Sequence, residues 1–473
     1  GVLRDGTNTA TPVAINWVNG MDGSTGTPIN LARRWIYKFQ NLSDLYANWT
    51  QIFETGILAP SNGFTMKGSG TATATQNYVF VGKPYNGRIN GTVSPNNINL
   101  SGNPYASALD AQQFITDNAA VINGSIYFWE HYPTNNTHVL LQYQGGYATR
   151  NFSGGTPPVA PFGISGLGSS ARVPNRYIPV GQGFFIQANA TGGTIVFDNN
   201  QRTFVKEDAP TSNIMFKNAS GANTQMSASD HFNDNTNDST TAEDTFARIR
   251  LGFTSHNGNH RQLLLAFMEE HATDGWDYGY DGIVLDDDLV QDMLFLLDDK
   301  KLVIQGVGYF NASAIYPLLV RTDVAGEVKF MIDELENFNP NQPIYIYDNV
   351  TNGYHDIRNA PFALEIPAGE NTSRFSLRFE KQKLAVTEFD WSAVKMTYLQ
   401  GNNQIKINNE LTDGTRIEKV MLYNITGQLL GTWKTDNMDQ QEILLPVRNV
   451  STGTYIIKAD TNKGSLSQKT IIR

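Results

Sequence analysis

No cysteine occurs in the 473 residues, and that absence removes disulfides, thiolate zinc sites and cysteine nucleophiles together. No thiol is left to oxidise outside a cell, although poverty in cysteine alone does not fix a compartment. No run of about 18 apolar residues is present, so no stretch reads as a membrane-spanning helix. Positive charge is also short: 35 Lys and Arg face 45 Asp and Glu, a net charge of -10, which repels phosphate backbones and sets nucleic acid aside as a partner. The chain starts at Gly1, without Met or a charged-then-apolar leader. That reads as a processed chain or as the C-terminal part of a longer one.

The short signatures of common enzyme classes are missing as well. "GISGLGSS" at 163–170 falls short of a Gly-x-Ser-x-Gly elbow, and there is neither a Walker loop nor a Gly-x-Gly-x-x-Gly after a strand. Pairs of acids can be picked anywhere among 45 of them, so they point nowhere without geometry. The expectation is a protein that is not an enzyme.

What the sequence has is glycine (42 residues), asparagine and threonine, and short runs of Val, Ile, Tyr and Phe between turn residues. That pattern predicts an all-β protein. Strands are expected at "NYVFVG" (77–82), "GSIYFWEHY" (124–132), "GQGFFIQANA" (181–190), "RQLLLAFME" (261–269), "GEVKFMID" (326–333), "PIYIYDN" (343–349) and "RFSLRFE" (374–380). In the last, Phe375, Leu377 and Phe379 fall on one face, and Arg374, Ser376, Arg378 and Glu380 on the other. Two minor helices are expected. "SALDAQQFITDNAAVI" would be capped by Ser107, with Leu109, Phe114 and Ile115 inward and Asn118 near its stop. "DDDLVQDMLFLLDDKK" puts acids first and lysines last, as a helix dipole prefers. The polar stretch 217–243 reads as a long loop or crossing, and a second break falls near 381–386. Three units follow: 1–205, 206–383 and 384–473, the fold being tandem β-sandwich domains ending in a small sandwich of about seven strands.

The last unit carries the most specific pattern. "VMLYNITGQLL" is followed by "LPVRNVSTGTYIIKADTNKGSLSQKTIIR". It resembles the type A C-terminal sorting domain of the Bacteroidetes type IX secretion system: a strand into Tyr-Asp/Asn-x-x-Gly, a Leu-rich strand, Gly-x-Tyr in a strand, then a Gly turn and a Lys in the closing strand. The matching positions are Tyr423, Asn424 and Gly427, Leu444 and Leu445, Gly453 and Tyr455, then Gly464 and Lys469. Gln428 stands where the family often has Arg or Lys. The resemblance implies an Ig-like sandwich, export through a large outer-membrane translocon and capture by a shuttle β-barrel protein. It also implies that the protein can end at the cell surface with the domain cleaved off.

The resemblance implies a sorting signal made of Gly453, Tyr455, Gly464, Lys469, Ile471, Ile472 and Arg473, of which Lys469 to Arg473 are expected to be presented, because a strand with nothing after it can enter a receptor or add to its sheet. Tyr423, Gly427 and Tyr455 are expected to serve turn and packing first, and Gly453 to be required by its turn. Upstream, "QNYVFVGKPYNG", "GSIYFWEHY", "IPVGQGFFIQA" and "TDGWDYGYDG" resemble a segment that precedes the sorting domain in large flavobacterial surface proteins, some in adhesin or gliding sets. That implies an adhesin or stalk. Surface polysaccharide or lipopolysaccharide is the partner expected beyond the export machinery, and a glycan-binding module or part of a polysaccharide hydrolase the alternative.

No cofactor is expected: Asp274, Asp277 and Asp281 in "TDGWDYGYDGIVLDDD" read first as solvated acids of a glycine-rich turn, with calcium as the alternative, for which they offer oxygen ligands without EF-hand spacing. His256 and His260 in "HNGNH" read as solvated turn residues. Trp17, Trp35, Trp49 and Trp129 read as core. Asp238-Ser239-Thr240 resembles a Bacteroidetes O-glycosylation site, with Ser239 as acceptor.

Overall fold

A computed structural model of the chain describes residues 2–45, 48–70, 76–132, 138–139, 145–159, 173–205, 245–381, 394–410, 414, 416–435, 441–448, 450–462 and 464–473. Among these, the architecture is all-β, with 35 strands and a single α-helix. Every expected strand forms. The loop at 217–243 and Ser239 lie outside the described residues.

The chain divides into two compact units, 1–381 and 382–473. The stretches expected as separate domains upstream share the first unit, each with its own apolar cluster. The earlier one holds an antiparallel five-stranded sheet, ordered Gly155–Thr156, Gly145–Arg150, Ile122–His131, Gly183–Ala188, Ile98–Gly102. The helix Ala111–Asp117 belongs to its core through Phe114, whose ring lies 5.3 Å from that of Phe184. The cap is Asp110, whose carboxylate accepts the Gln112 N–H, rather than Ser107. Leu109 is buried in the preceding strand.

The later stretch builds an eleven-stranded sheet. Ten strands run in the order Gly353–Asp356, Tyr345–Asp348, Gly369–Arg378, Ile315–Thr322, Asp292–Leu297, Lys300–Val307, His260–Phe267, Ala247–Thr254, Gly326–Glu336, Phe362–Ile366, and Gly282–Ile283 pairs beside Lys300–Val307. Phe330 and Phe375 sit six steps apart in that order, which in a flat sheet would be about 29 Å. Their rings are 5.1 Å apart. The sheet therefore folds back until its two halves face each other as a sandwich.

"DDDLVQDMLFLLDDKK" is no helix. Asp292–Leu297 and Lys300–Val307 form a hairpin turning at Asp298, whose φ is 53°. Met293, Leu294 and Phe295 are consecutive and all fully buried, so the run fills a strand covered on both faces, where alternation disappears. Arginines join the two stretches. Arg248 donates to the Ser153 carbonyl at 2.7 Å and Arg250 to the Gly155 carbonyl at 2.9 Å, both in buried surroundings.

The second unit is a seven-stranded sandwich. One sheet holds Val394–Leu399, Gln404–Asn409 and Glu442–Pro446, the other Leu429–Lys434, Ile417–Asn424, Gly453–Thr461 and Gly464–Ile472. Its core is apolar, with Ile405, Ile407, Val420, Ile457 and Ala459 fully buried.

Candidate functional site at the closing strand

Among the described residues the last strand, Gly464–Ile472, is an edge of its sheet. Its ladder runs against Gly453–Thr461, from Thr461 opposite Gly464 to Gly453 opposite Ile472. Leu466 and Ile472 turn inward, while Lys469, Ile471 and Arg473 are exposed. Ile472, at 2 % exposure, is thus a core residue and not a presented one. Gln468 accepts the Met396 N–H of the facing sheet at 3.0 Å and helps close that side of the sandwich.

The turn after Tyr423 is held by one side chain. The Asn424 carboxamide oxygen accepts N–H bonds from Thr426 and Gln428 and the Thr426 hydroxyl. Gly427 has φ 83°, which a side chain resists. Gly464 is also at positive φ, 141°. Gly453 is not, and a Cβ there would make ordinary contact with the Tyr455 ring at 3.5 Å. The turn does not require its glycine. Tyr455 is buried and ties the preceding turn by donating to the Ser451 carbonyl at 2.6 Å.

Sequence reading missed an outward apolar row. Leu429, Tyr423 and Ile456 are cross-strand neighbours, Ile456 pairs with Lys469, and Ile471 lies opposite Thr454. Leu429 is 50 %, Ile456 38 % and Ile471 54 % exposed. The signal was the run Tyr455-Ile456-Ile457, in which the middle residue must face outward while the other two fill the core.

Upstream, the calcium candidates do not converge. Asp281 is fully buried and accepts the N–H groups of Asp277 and Gly306, at 2.7 and 3.0 Å. Burial pushes its carboxyl up to about 7 against the pull of those hydrogen bonds. Asp277 accepts the N–H and hydroxyl of Thr273, and Asp274 is exposed. Among the described residues no three acids or histidines are grouped so as to hold a metal. Asp277 and Asp281 clamp a glycine-rich turn.

His260 is not solvated. It is fully buried at the start of a strand, 2.9 Å from Asp333 and 2.8 Å from the Thr254 hydroxyl. Trp17 and Trp49 pack against apolar clusters, whereas Trp129 is 40 % exposed and Trp35 lies half-buried, stacked on His138.

The fold and its closing strand define an all-β protein with a separate tail unit. Residues 400–473 match the secretion system C-terminal sorting domain, and the chain is a type IX substrate carried across the outer membrane to the cell surface or beyond. Residues 9–379 match the family described as Domain of unknown function (DUF8693), and the chain belongs to that family. No curated protein matches it. Among solved structures it is similar to a "Biofilm associated protein - BSP domain" at 11 % identity and a TM-score of 0.14, over 82 % of this chain and 66 % of that one, just under two thirds of its length. So slight a likeness carries no argument.

Proposed function

We propose that the protein is a non-catalytic surface adhesin or stalk of a Bacteroidetes cell, delivered by its tail to the shuttle β-barrel of the type IX system. The observation that carries the delivery half is the edge of Gly464–Ile472, without a strand partner on its outer side among the described residues, with Lys469, Ile471 and Arg473 exposed beside the outward apolar row. Backbone groups of an edge strand give a receptor affinity, and alternate side chains give it selectivity. Lys458, Lys469 and Arg473 add positive charge against Asp460, which suits an acidic receptor mouth.

The non-catalytic half is supported by how the upstream unit uses its titratable groups. Arg261 is bound to Asp292, Arg250 to Glu336 and His260 to Asp333, all buried in the central sheet. Groups enclosed in a sheet and paired with one another offer no face to a substrate.

The test uses the full chain behind an export signal, in a type IX-competent strain and in a translocon mutant. Wild type is expected outside the competent cell and in the periplasm of the mutant. A variant ending at Asp460, without the closing strand, should stay in the periplasm of both, and its escape would refute the edge as the signal. Attachment of cells with and without the gene to coated surfaces tests adhesion, and equal attachment on every surface removes that reading.

A further inference from the structure

Three tyrosines gather on the solvent side of the hairpin Tyr345–Asp348 and Gly353–Asp356. Tyr347 pairs with Tyr354 across it, their rings 4.7 Å apart, and the Tyr345 ring stands 5.9 Å from that of Tyr354, edge to face. Tyr347 also pairs with Ser376, and Ser376 with Pro317, so one row crosses four strands: Tyr354, Tyr347, Ser376, Pro317. The next row places Asp356, Tyr345, Arg378 and Ile315 in register, with the exposed Asp356 carboxylate at its end. All three tyrosines are half-buried. An open groove of about 340 Å³ runs beside Tyr347, lined by Ile315, Pro317, Ser373, Arg374 and Arg378 among others.

The two arginines of this groove differ in charge balance. Arg374 is neutralised by a bidentate bond to the buried carboxylate of Asp348, at 2.9 and 3.0 Å. Arg378 has its guanidinium 3.8 Å from the Tyr347 ring centre and donates to the Ser376 and Tyr354 hydroxyls, both at 3.0 Å. No carboxylate among the described residues lies within ion-pair distance of it. Neutral partners fix its orientation and leave its charge uncompensated. Lys381 stands 5.4 Å from the Tyr345 ring and adds a second cation. In a chain of net charge -10, Arg374, Arg378 and Lys381 stand here against Asp348 and Asp356, a small local excess of positive charge beside aromatic rings.

We infer that this face binds an anionic polysaccharide. The C–H face of a sugar ring rests on tyrosine, hydroxyls line the groove, and a planar guanidinium held flat meets a carboxylate or sulfate with directed hydrogen bonds. The inference rests on the adhesive reading and supplies its ligand. Uronate and sulfate share the chemistry, and the two probes below separate them.

The experiment is affinity electrophoresis of the full chain in gels containing polygalacturonate, dextran sulfate or neutral dextran. Retardation is expected in one or both polyanions and not in dextran, weakening as salt is raised. Arg378→Gln is expected to weaken retention at least tenfold, and Tyr347→Ala to weaken it too. Arg378→Lys keeps the charge but not the plane, and is expected to fall between wild type and Arg378→Gln. Lys329→Gln, which removes a distant surface cation, should bind as wild type.

Melting curves confirm that each variant is folded; should Tyr347→Ala not fold, the arginine pair decides alone. No retention in either polyanion overturns the site, as does wild-type retention by Arg378→Gln or an equal loss in Lys329→Gln. Cells that attach through the protein while Arg378→Gln binds normally would remove this site and leave the adhesin. Gel retention without any effect of the gene on attachment would do the reverse.

Discussion

In the central sheet of the upstream unit Arg250, Arg261 and His260 are at most 2 % exposed, each against a carboxylate; among the described residues the C-terminal sandwich buries no charged side chain, only the neutral Asn409, Thr435 and Thr461 beside its apolar core. Both are β cores, yet only one contains charge. The strands Ala247–Thr254 and His260–Phe267 are covered on two faces, one by the apolar cluster and the other partly by the segment around 153–155. A polar side chain on the second face cannot reach water and must be paired where it stands. In the small sandwich every strand has one face turned outward, so its lysines stay wet. The difference is one of coverage.

The comparison breaks most easily at Arg261. Its guanidinium holds Asp292 through two bonds of 2.7 and 2.8 Å, and Asp292 is fully buried. Arg261→Met would strand that carboxylate, with Arg321 left at 3.6 Å. A loss of about 3–5 kcal/mol is expected in denaturant unfolding. A loss under about 1 kcal/mol would mean that the buried pair does not hold the sheet. In the C-terminal unit the equivalent blow is apolar: Ile457→Ala, at a fully buried position, should cost about 2–5 kcal/mol in that unit's transition.

How far the residues announced this depends on coverage as well. "RFSLRFE" gave its strand and its faces because one side meets solvent, and Arg374, Ser376 and Arg378 do lie opposite the buried Phe375 and Leu377. "MLFLL" hid its strand because both sides are covered and the acids flanking it imitate a helix dipole. His260 was misread for a related reason. Its neighbours Asn257, Gly258 and Asn259 make a turn, but the Asp333 that buries it comes from 73 residues away. The tail was legible to the level of seven strands. The outward row from Leu429 to Ile456 was not, because it exists only in the register between strands.

Acid sharpens the contrast within the upstream unit. Burial pushes the Asp348 carboxyl up, but hydrogen bonds from Arg374 and the Val350 N–H, with the Arg374 charge, outweigh it and hold the group below its ordinary value. A depressed carboxyl stabilises the fold above its unfolded value near pH ~4 and loses that contribution as pH falls through its folded value. Asp281 has the opposite sign. Raised to about 7, it contributes nothing adverse below pH ~4 and an increasing penalty as pH climbs through its folded value. Melting temperature against pH should therefore fall off below about pH 4 and slope downward towards neutrality. Asp348→Asn should flatten the acid limb alone. An unchanged acid limb in that variant would remove the pair with Arg374 as its source.

Smaller effects sort the tail's turn residues from its presented ones. Tyr455→Phe loses the bond to the Ser451 carbonyl and should cost about 1 kcal/mol. Gly427→Ala must place a side chain at φ 83°, although nothing lies within 4 Å of where its Cβ would stand. The cost is purely conformational, about 1 kcal/mol. Gly453→Ala meets neither obstacle, since its φ is ordinary and its new Cβ would touch the Tyr455 ring at contact distance. It should leave the melting curve within about 0.5 kcal/mol of wild type. Export of that variant then gives a clean reading: a folded tail that stays in the periplasm makes the bare backbone at Gly453 part of what the receptor touches. Normal export would return Gly453 to the ordinary start of a strand and leave the open edge beyond Gly464 as the signal.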